Sequence, residues 1–193
     1  MRVFCLGDSN TYGYDPRSYF GGRYDETSRW VDVFAKRTGW EMFNGGENGR
    51  KIPKREGEMA GINLPTEMDM MIIMLGTNDL LQGASPQRAA ERMEAFLGQL
   101  HINKKKIILI SPPPMQPGAW VTDEALSNAS SDLGKYYGAL AQRLDIRFFD
   151  AAQWGVFCLL MGFIFQKQDI KPLQQDFLKL CQKIKSELFR LIY

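Results

Sequence analysis

The sequence has little of what marks secreted, membrane-spanning or metal-binding proteins. Its three cysteines, Cys5, Cys158 and Cys181, are an odd number and lack metal-ligand spacing, a usage that predicts reduced thiols in a cytoplasmic protein. The longest apolar run, Val156 to Phe165, is too short to cross a bilayer. The first residues read as a strand and not as a signal peptide, so we expect no secretion.

Net charge is also low. The chain carries 24 Lys and Arg against 22 Asp and Glu, a formal charge of +2, so we expect neither a nucleic-acid partner nor a membrane surface. The one basic run, Lys104 to Lys106, is typical of a solvated turn. With 193 residues and 45% hydrophobic content, the chain predicts one domain over 1–193 that buries roughly 70% of its unfolded surface.

Strand-like and helix-like segments alternate along the chain. Short apolar runs predict strands, and apolar residues at helical spacing predict the helices between them. This alternation favours right-handed crossovers and a doubly wound parallel α/β sheet. The predicted strands are the run from Val3 and residues 40–44, 70–75, 106–110 and 146–150; the predicted helices are 28–38, the segment that Ser85-Pro86 opens, and 126–144.

The first apolar run breaks at Gly7 into the polar segment Asp8-Ser9-Asn10. Ligands of open parallel sheets bind beyond the carboxyl ends of the strands. A serine hydroxyl just past the first strand can therefore face a substrate. The alternative is that the segment only caps a helix.

Two further polar loops follow predicted strands, Asn44-x-Gly46-x-x-Gly49 and Gly76-Thr77-Asn78-Asp79. Acyl transfer needs a nucleophile and donors aimed at the developing oxyanion. Ser9 and Gly49 can supply backbone N–H groups, and Asn78 a side-chain amide. The alternatives are a tight glycine turn and a cap on the next helix. A phosphate-binding loop is disfavoured because no strand leads into G-x-G-x-x-G or a P-loop.

These three blocks, in this order, resemble those of the SGNH (GDSL-type) hydrolases. The runs Ile72 to Asp79, Ser111 to Pro114 and Phe148 to Ala151 are most similar to its arylesterase/acyltransferase branch. The resemblance covers about residues 2–154. It implies a flavodoxin-like three-layer α/β/α sandwich with a five-stranded parallel sheet.

The resemblance also implies the chemistry. Ser9 would be the nucleophile, and the N–H groups of Ser9 and Gly49 with the Asn78 amide would form the oxyanion hole. Substrates would be short acyl esters, cleaved through an acyl-enzyme with no metal and no cofactor. Tyr12, Trp30 and Thr77 are candidates for the walls of a substrate pocket, although aromatic residues are more often core. The loop aromatics Tyr14, Tyr19, Phe20 and Tyr24 are compatible with a homo-oligomer interface.

The chain departs from the family in its last block, an Asp-x-x-His that should follow soon after Asp150. The only histidine is His101, which lies between a helix and a strand and therefore at the amino end of the sheet. Asp79 and Asp150 are at the carboxyl edge, but a carboxylate without an imidazole does not complete a triad.

Our hypothesis for the missing block is a shifted reading frame, read with codons that the amino acids permit. If the Leu160 codon ends in G, that base and the first two of Met161 spell Asp. The codons of Gly162 and Phe163 then continue with Gly-Val, and Ile164 completes a His. Permitted codons through Ile170 extend this to Asp-Gly-Val-His-Phe-Ser-Glu-Ala-Gly-His, which resembles the family block. We therefore interpret residues from about Val156 as a frameshifted tail.

The sequence thus predicts a serine ester hydrolase whose turnover is impaired in this chain. The alternative from another class is a non-catalytic ester- or glycan-binding relative that keeps the pocket and lacks the base. A flavodoxin-like nucleotide binder is the third and least favoured reading.

Overall fold

A computed structural model of the chain describes residues 1–16, 18, 20–54, 56–115, 121 and 123–154. Its centre is a five-stranded parallel sheet in the order β2-β1-β3-β4-β5. This is the flavodoxin-like order, in which the chain reverses direction across the sheet between β1 and β3. The strands are β1 (Arg2–Gly7), β2 (Glu41–Gly46), β3 (Met70–Met74), β4 (Ile107–Ser111) and β5 (Arg147–Asp150).

Helices cover both faces of this sheet. Side chains of a strand point alternately to its two faces, and each face has its own buried cluster. Val3, Cys5 and Ile72 pack in one cluster with residues of the helix Trp30–Thr38, whereas Leu6 and Ile73 pack in the other with the helices Pro86–Gln99 and Glu124–Leu144. The predicted three-layer sandwich is confirmed. The helices are α1 (Ser9–Tyr12), α2 (Trp30–Thr38), α3 (Glu56–Ala60), α4 (Thr77–Leu81), α5 (Pro86–Gln99) and α6 (Glu124–Leu144).

Capping residues fix several element ends. Ser85 accepts a hydrogen bond from the N–H of Arg88 (3.1 Å) and Pro86 opens α5, as predicted. Asp123 caps α6, which therefore begins two residues before the predicted start at Leu126. The predicted helix from Ser28 begins at Trp30 and ends before Gly39, which adopts a φ of 73°.

The second strand lies one to two residues later than predicted. Trp40 packs edge-on against Phe34, with 5.7 Å between the ring centroids, and the strand begins only at Glu41. It also continues to Gly46 instead of ending at Asn44. The basic run 104–106 is an exposed 3₁₀ turn before β4, which confirms the prediction of a solvated turn.

Some predictions fall on residues outside the described set, namely the proposed frameshifted tail from Val156 and the loop residue Tyr19. Within the described ranges, no helix combines the length and the apolar character that a membrane crossing requires.

Candidate functional site

Ser9 is the first residue of α1, directly beyond the carboxyl end of β1, and it is half-buried. Asp8 is the N-cap of that helix, and its carboxylate accepts a hydrogen bond from the N–H of Asn10 (2.9 Å). The turn is tight, because a Cβ on Gly7 would lie 1.9 Å from the hydroxyl oxygen of Thr11. The capping alternative is therefore correct for Asp8, and it leaves the Ser9 side chain out of the capping contact.

The Asp8 carboxyl is fully buried. Burial raises its pKa to about 6, against the opposing effect of hydrogen bonds from Asn10 and Thr77. The Asn10 amide also donates to the Thr77 hydroxyl (3.4 Å), which joins the segment after β1 to the one after β3. The Asp8 carboxyl thus has a structural role: it stabilises the segment that carries Ser9.

The loop after β2 follows Gly46, the last residue of that strand, which packs against α1. A Cβ there would approach the Tyr12 nitrogen to 2.1 Å, so only glycine fits. Asn44 fixes the same approach by donating to the carbonyl of Thr11 (2.8 Å). Gly49 has a φ of 76° and open space around it, as the tight-turn alternative expects. The residue is exposed.

Asn78 lies within α4. The N-cap of this helix is Gly76, so the alternative that Asn78 and Asp79 cap it is wrong. Both side chains instead reach the loop after β2. The Asn78 amide donates to the carbonyl of Arg50 (3.0 Å), and the Asp79 carboxylate accepts from the N–H of Ile52 (2.9 Å).

The other candidate acid–base groups either bind other residues or lie far from Ser9. Asp79 is fully buried and pairs with Arg92 (2.8 Å). Asp150 accepts hydrogen bonds from the Ser111 hydroxyl (2.7 Å) and from the N–H of Ala152 (3.0 Å). His101 is exposed between α5 and β4, and so lies at the amino end of the parallel strands, as expected.

The three candidate pocket residues differ in their surroundings. Tyr12 is half-buried in α1, with the Arg23 guanidinium 4.5 Å from the centre of its ring. Thr77 is buried beside Asn10. Trp30 is buried in the core cluster that α2 forms with β1, β3 and β4, so its surroundings favour the core interpretation. A substrate contact by any of the three stays a prediction.

Sequence reasoning missed Arg50. Its guanidinium donates to the carbonyl oxygens of Gly7 (3.3 Å) and Gly45, and pairs with the Glu47 carboxylate. The available signal was its position directly after Gly49, at the end of the second polar loop. The contact could not be inferred from local pattern, because it connects residues 43 positions apart.

Three segments that follow parallel strands thus contact one another around Ser9. Among the described residues, no group of three His, Cys, Asp or Glu side chains could hold a metal ion. A sequence profile of the GDSL-like lipase/acylhydrolase family matches residues 5–163. The chain belongs to this family. The predicted family resemblance is confirmed. Membership of this family identifies the GDSL-like protein as a carboxylic ester hydrolase.

Solved structures show the same fold for this GDSL-like chain. A carbohydrate acetylesterase family member from Sinorhizobium meliloti is 21% identical, with a TM-score of 0.74 over 94% of this chain and 97% of that one. The inhibitor-bound aryl esterase of M. smegmatis is 22% identical, with a TM-score of 0.73 over 96% and 98%. A member of the lipolytic G-D-S-L family from Veillonella parvula is 19% identical, with a TM-score of 0.62 over 93% and 97%. No curated protein matches the sequence.

Proposed function

We propose that this GDSL-like protein is a serine esterase for short acyl esters, with Ser9 as the nucleophile and an acyl-enzyme intermediate. The N–H groups of Ser9 and Gly49 and the amide of Asn78 would form the oxyanion hole. The observation that carries the proposal is the hydrogen bond from Asn78 to the carbonyl of Arg50, which is the residue after Gly49. It keeps two of the three donors on adjoining segments.

The chemistry needs few parts. The Ser9 hydroxyl gives up its proton as its oxygen attacks the ester carbonyl carbon, and the three donors stabilise the negative oxygen of the tetrahedral intermediate. The carbon–oxygen bond to the alcohol then breaks, and the alcohol leaves with the proton that Ser9 gave up. Water then cleaves the acyl-enzyme. As the first residue of α1, Ser9 has no acceptor for its N–H within the helix, which leaves that donor for a ligand. One hydrogen of the Asn78 amide is bound by Arg50, and the second remains for the oxyanion.

The base is the missing part. We propose that the tail from about Val156 is a frameshifted translation of the Asp-x-x-His block. The family match ends at residue 163, inside the apolar run 156–165. Most of the tail, residues 164–193, thus lies outside the family match, which supports the proposal. Loss of a triad base typically lowers kcat by about 10⁶ in a serine hydrolase, so we expect severely reduced turnover.

A second candidate function is non-catalytic binding of an ester or a glycan ester. The specific observation in its favour is that His101 is exposed at the amino end of the sheet, while Asp79 and Asp150 are held by other groups. A phosphonate ester distinguishes the two functions, since it labels only an activated serine.

The decisive experiment compares p-nitrophenyl acetate hydrolysis by this chain and by the same gene restored to the Asp-x-x-His frame. High activity only in the restored form, abolished by Ser9→Ala, would support the esterase and identify the tail as a lesion. Equal activity in both forms would contradict the proposed role of the last block. No Ser9-dependent activity in either would favour the binding function. Sequencing the coding DNA through codon 170 tests the frameshift independently.

A further inference from the structure

One residue, Arg50, contacts all the strand-end segments that the proposed site uses, two through its side chain and one through its main chain. The Arg50 guanidinium donates to the carbonyl of Gly7, two residues before Ser9. It also donates to the carbonyl of Gly45, at the end of β2. The main-chain carbonyl of the same residue accepts the hydrogen bond from Asn78 after β3. Arg50 is therefore hydrogen-bonded to, or part of, each of the three segments that hold the proposed oxyanion donors.

The chemistry of the Arg50 guanidinium is well suited to holding these segments rigidly together. A guanidinium is planar and presents fixed donors, so it loses less conformational freedom per hydrogen bond than a lysine does. The Arg50 side chain is only 15% exposed. Glu47 partly neutralises its charge from the solvent side. Hydrogen bonds from a charged donor are stronger than those between neutral groups.

The loop that carries Gly49 has two attachments besides Arg50. The N–H of Glu47 donates to the carbonyl of Gly7 (3.2 Å) at its beginning, and the N–H of Ile52 donates to Asp79 at its end. These contacts hold the loop on the sheet without Arg50. What Arg50 adds is the link between the loop's interior and the carbonyl next to the nucleophile segment.

We infer that Arg50 is a positioning residue of the oxyanion hole, which sets the location of the Gly49 N–H and the Asn78 amide relative to Ser9. The inference rests on the proposed function. Arg50 does not touch substrate and transfers no proton. Its loss displaces donors whose alignment matters at the level of about 1 Å, a misplacement that can cost about 100-fold in rate.

The test uses the full chain as it stands, and in parallel the chain restored to the Asp-x-x-His frame. An oxyanion hole without its triad still accelerates reaction by about 10³- to 10⁴-fold over water, so both forms report on the donors. For each preparation we would measure the rate of hydrolysis of p-nitrophenyl acetate and of its thiono analogue, in which sulfur replaces the carbonyl oxygen. Sulfur is larger and a poorer acceptor, so an aligned hole favours the oxygen ester. The ratio of the two rates is independent of how much protein is folded.

The variants are Arg50→Met, Arg50→Lys and Asn78→Ala, with Arg2→Met as the matched control. Arg2 lies on β1 and pairs with Glu41 of β2, but at the amino end of the sheet. We expect Arg50→Met to lower kcat by about 10- to 100-fold with little change in KM, and to reduce the oxygen-to-sulfur ratio. Arg50→Lys should recover part of both, and Arg2→Met should leave both unchanged.

The outcomes separate two failures. If Asn78→Ala reduces the ratio and Arg50→Met does not, the inference is wrong and the proposed function stands. If Arg50→Met reduces the rate but keeps the ratio, Arg50 acts only on stability, and the inference is again wrong. If neither form of the chain shows Ser9-dependent hydrolysis, the proposed function fails, and the inference fails with it.

Discussion

The Asn78 amide nitrogen lies 3.0 Å from the carbonyl oxygen of Arg50. Because a carbonyl only accepts, the contact fixes which end of the amide faces the loop after β2. The neighbouring Asp79 carboxylate binds the same loop two residues later, at the N–H of Ile52. Helix α4 thus holds the loop after β2 through two side chains, an amide that donates and a carboxylate that accepts. Substitutions in and around this contact lead to the predictions below.

We expect Asp79 and Arg92 to be strongly coupled. Removing either partner leaves a buried charge uncompensated, at a cost of about 3–5 kcal/mol in the free energy of unfolding. Because Asp79 is fully buried and Arg92 is 25% exposed, the double variant Asp79→Ala/Arg92→Met should be much less destabilised than the sum of the singles. A denaturant-based double-mutant cycle measures this coupling. The exposed Asp132–Lys135 pair is the control and should show no measurable coupling.

We expect alanine at the two loop glycines to have unequal effects. Gly49→Ala places a side chain at positive φ in open space, so its cost should be about 1 kcal/mol. Gly46→Ala drives a Cβ into the backbone of Tyr12 and Thr11, and about 3 kcal/mol is expected. Urea unfolding of the two variants tests the order. Equal destabilisation would mean that the close approach of α1 to β2 is not rigid.

Stability should depend on the protonation of Asp8. Its pKa is raised to about 6 in the folded protein by burial, so the folded state binds the proton more tightly than the unfolded state does. The resulting stabilisation is complete below pH 4 and is lost as pH rises through 6. Compared with Asp8→Asn, the wild type should lose about 2–3 kcal/mol between pH 4 and 7. Parallel curves for the two proteins would show that burial does not perturb this carboxyl.

His101 should be dispensable for any hydrolysis that depends on Ser9. The side chain is exposed and lies at the opposite end of the strands from Ser9. We expect His101→Gln to leave kcat and KM for p-nitrophenyl acetate unchanged in this chain and in the restored form. A large fall in kcat, with an unchanged unfolding midpoint, would make His101 the missing base.

The sequence was most informative where each strand ends in small polar residues. The blocks at Ser9, Gly49 and Asn78 predicted the sheet edge, because strand, glycine and polar loop follow one another locally. It was least informative where one loop contacts another. Asn78 looks locally like a helix cap, and only its approach to Arg50 in three dimensions assigns it differently.

The short helices were missed for a related reason. Helix α3 has five residues and α4 has five, too few for an apolar periodicity to appear. They form where the chain is already held. For α4, the anchors are the buried Asp79 and the neighbouring hydroxyl of Tyr137, which donates to the carbonyl of Leu75.

The strand order also dictates when the site can form during synthesis. Ser9 follows β1 closely, yet the pairing of β1 with β3 joins residues 67 positions apart, as in the pair of Val3 and Met70. At about 5–20 residues per second, a ribosome needs several seconds to make the intervening chain. Ser9 is therefore translated seconds before the segment after β3 that completes the proposed site. Until residues 70–74 are made, β1 lacks its β3 partner and the segment after β3 is absent, so apolar side chains of β1 stay exposed in the nascent chain.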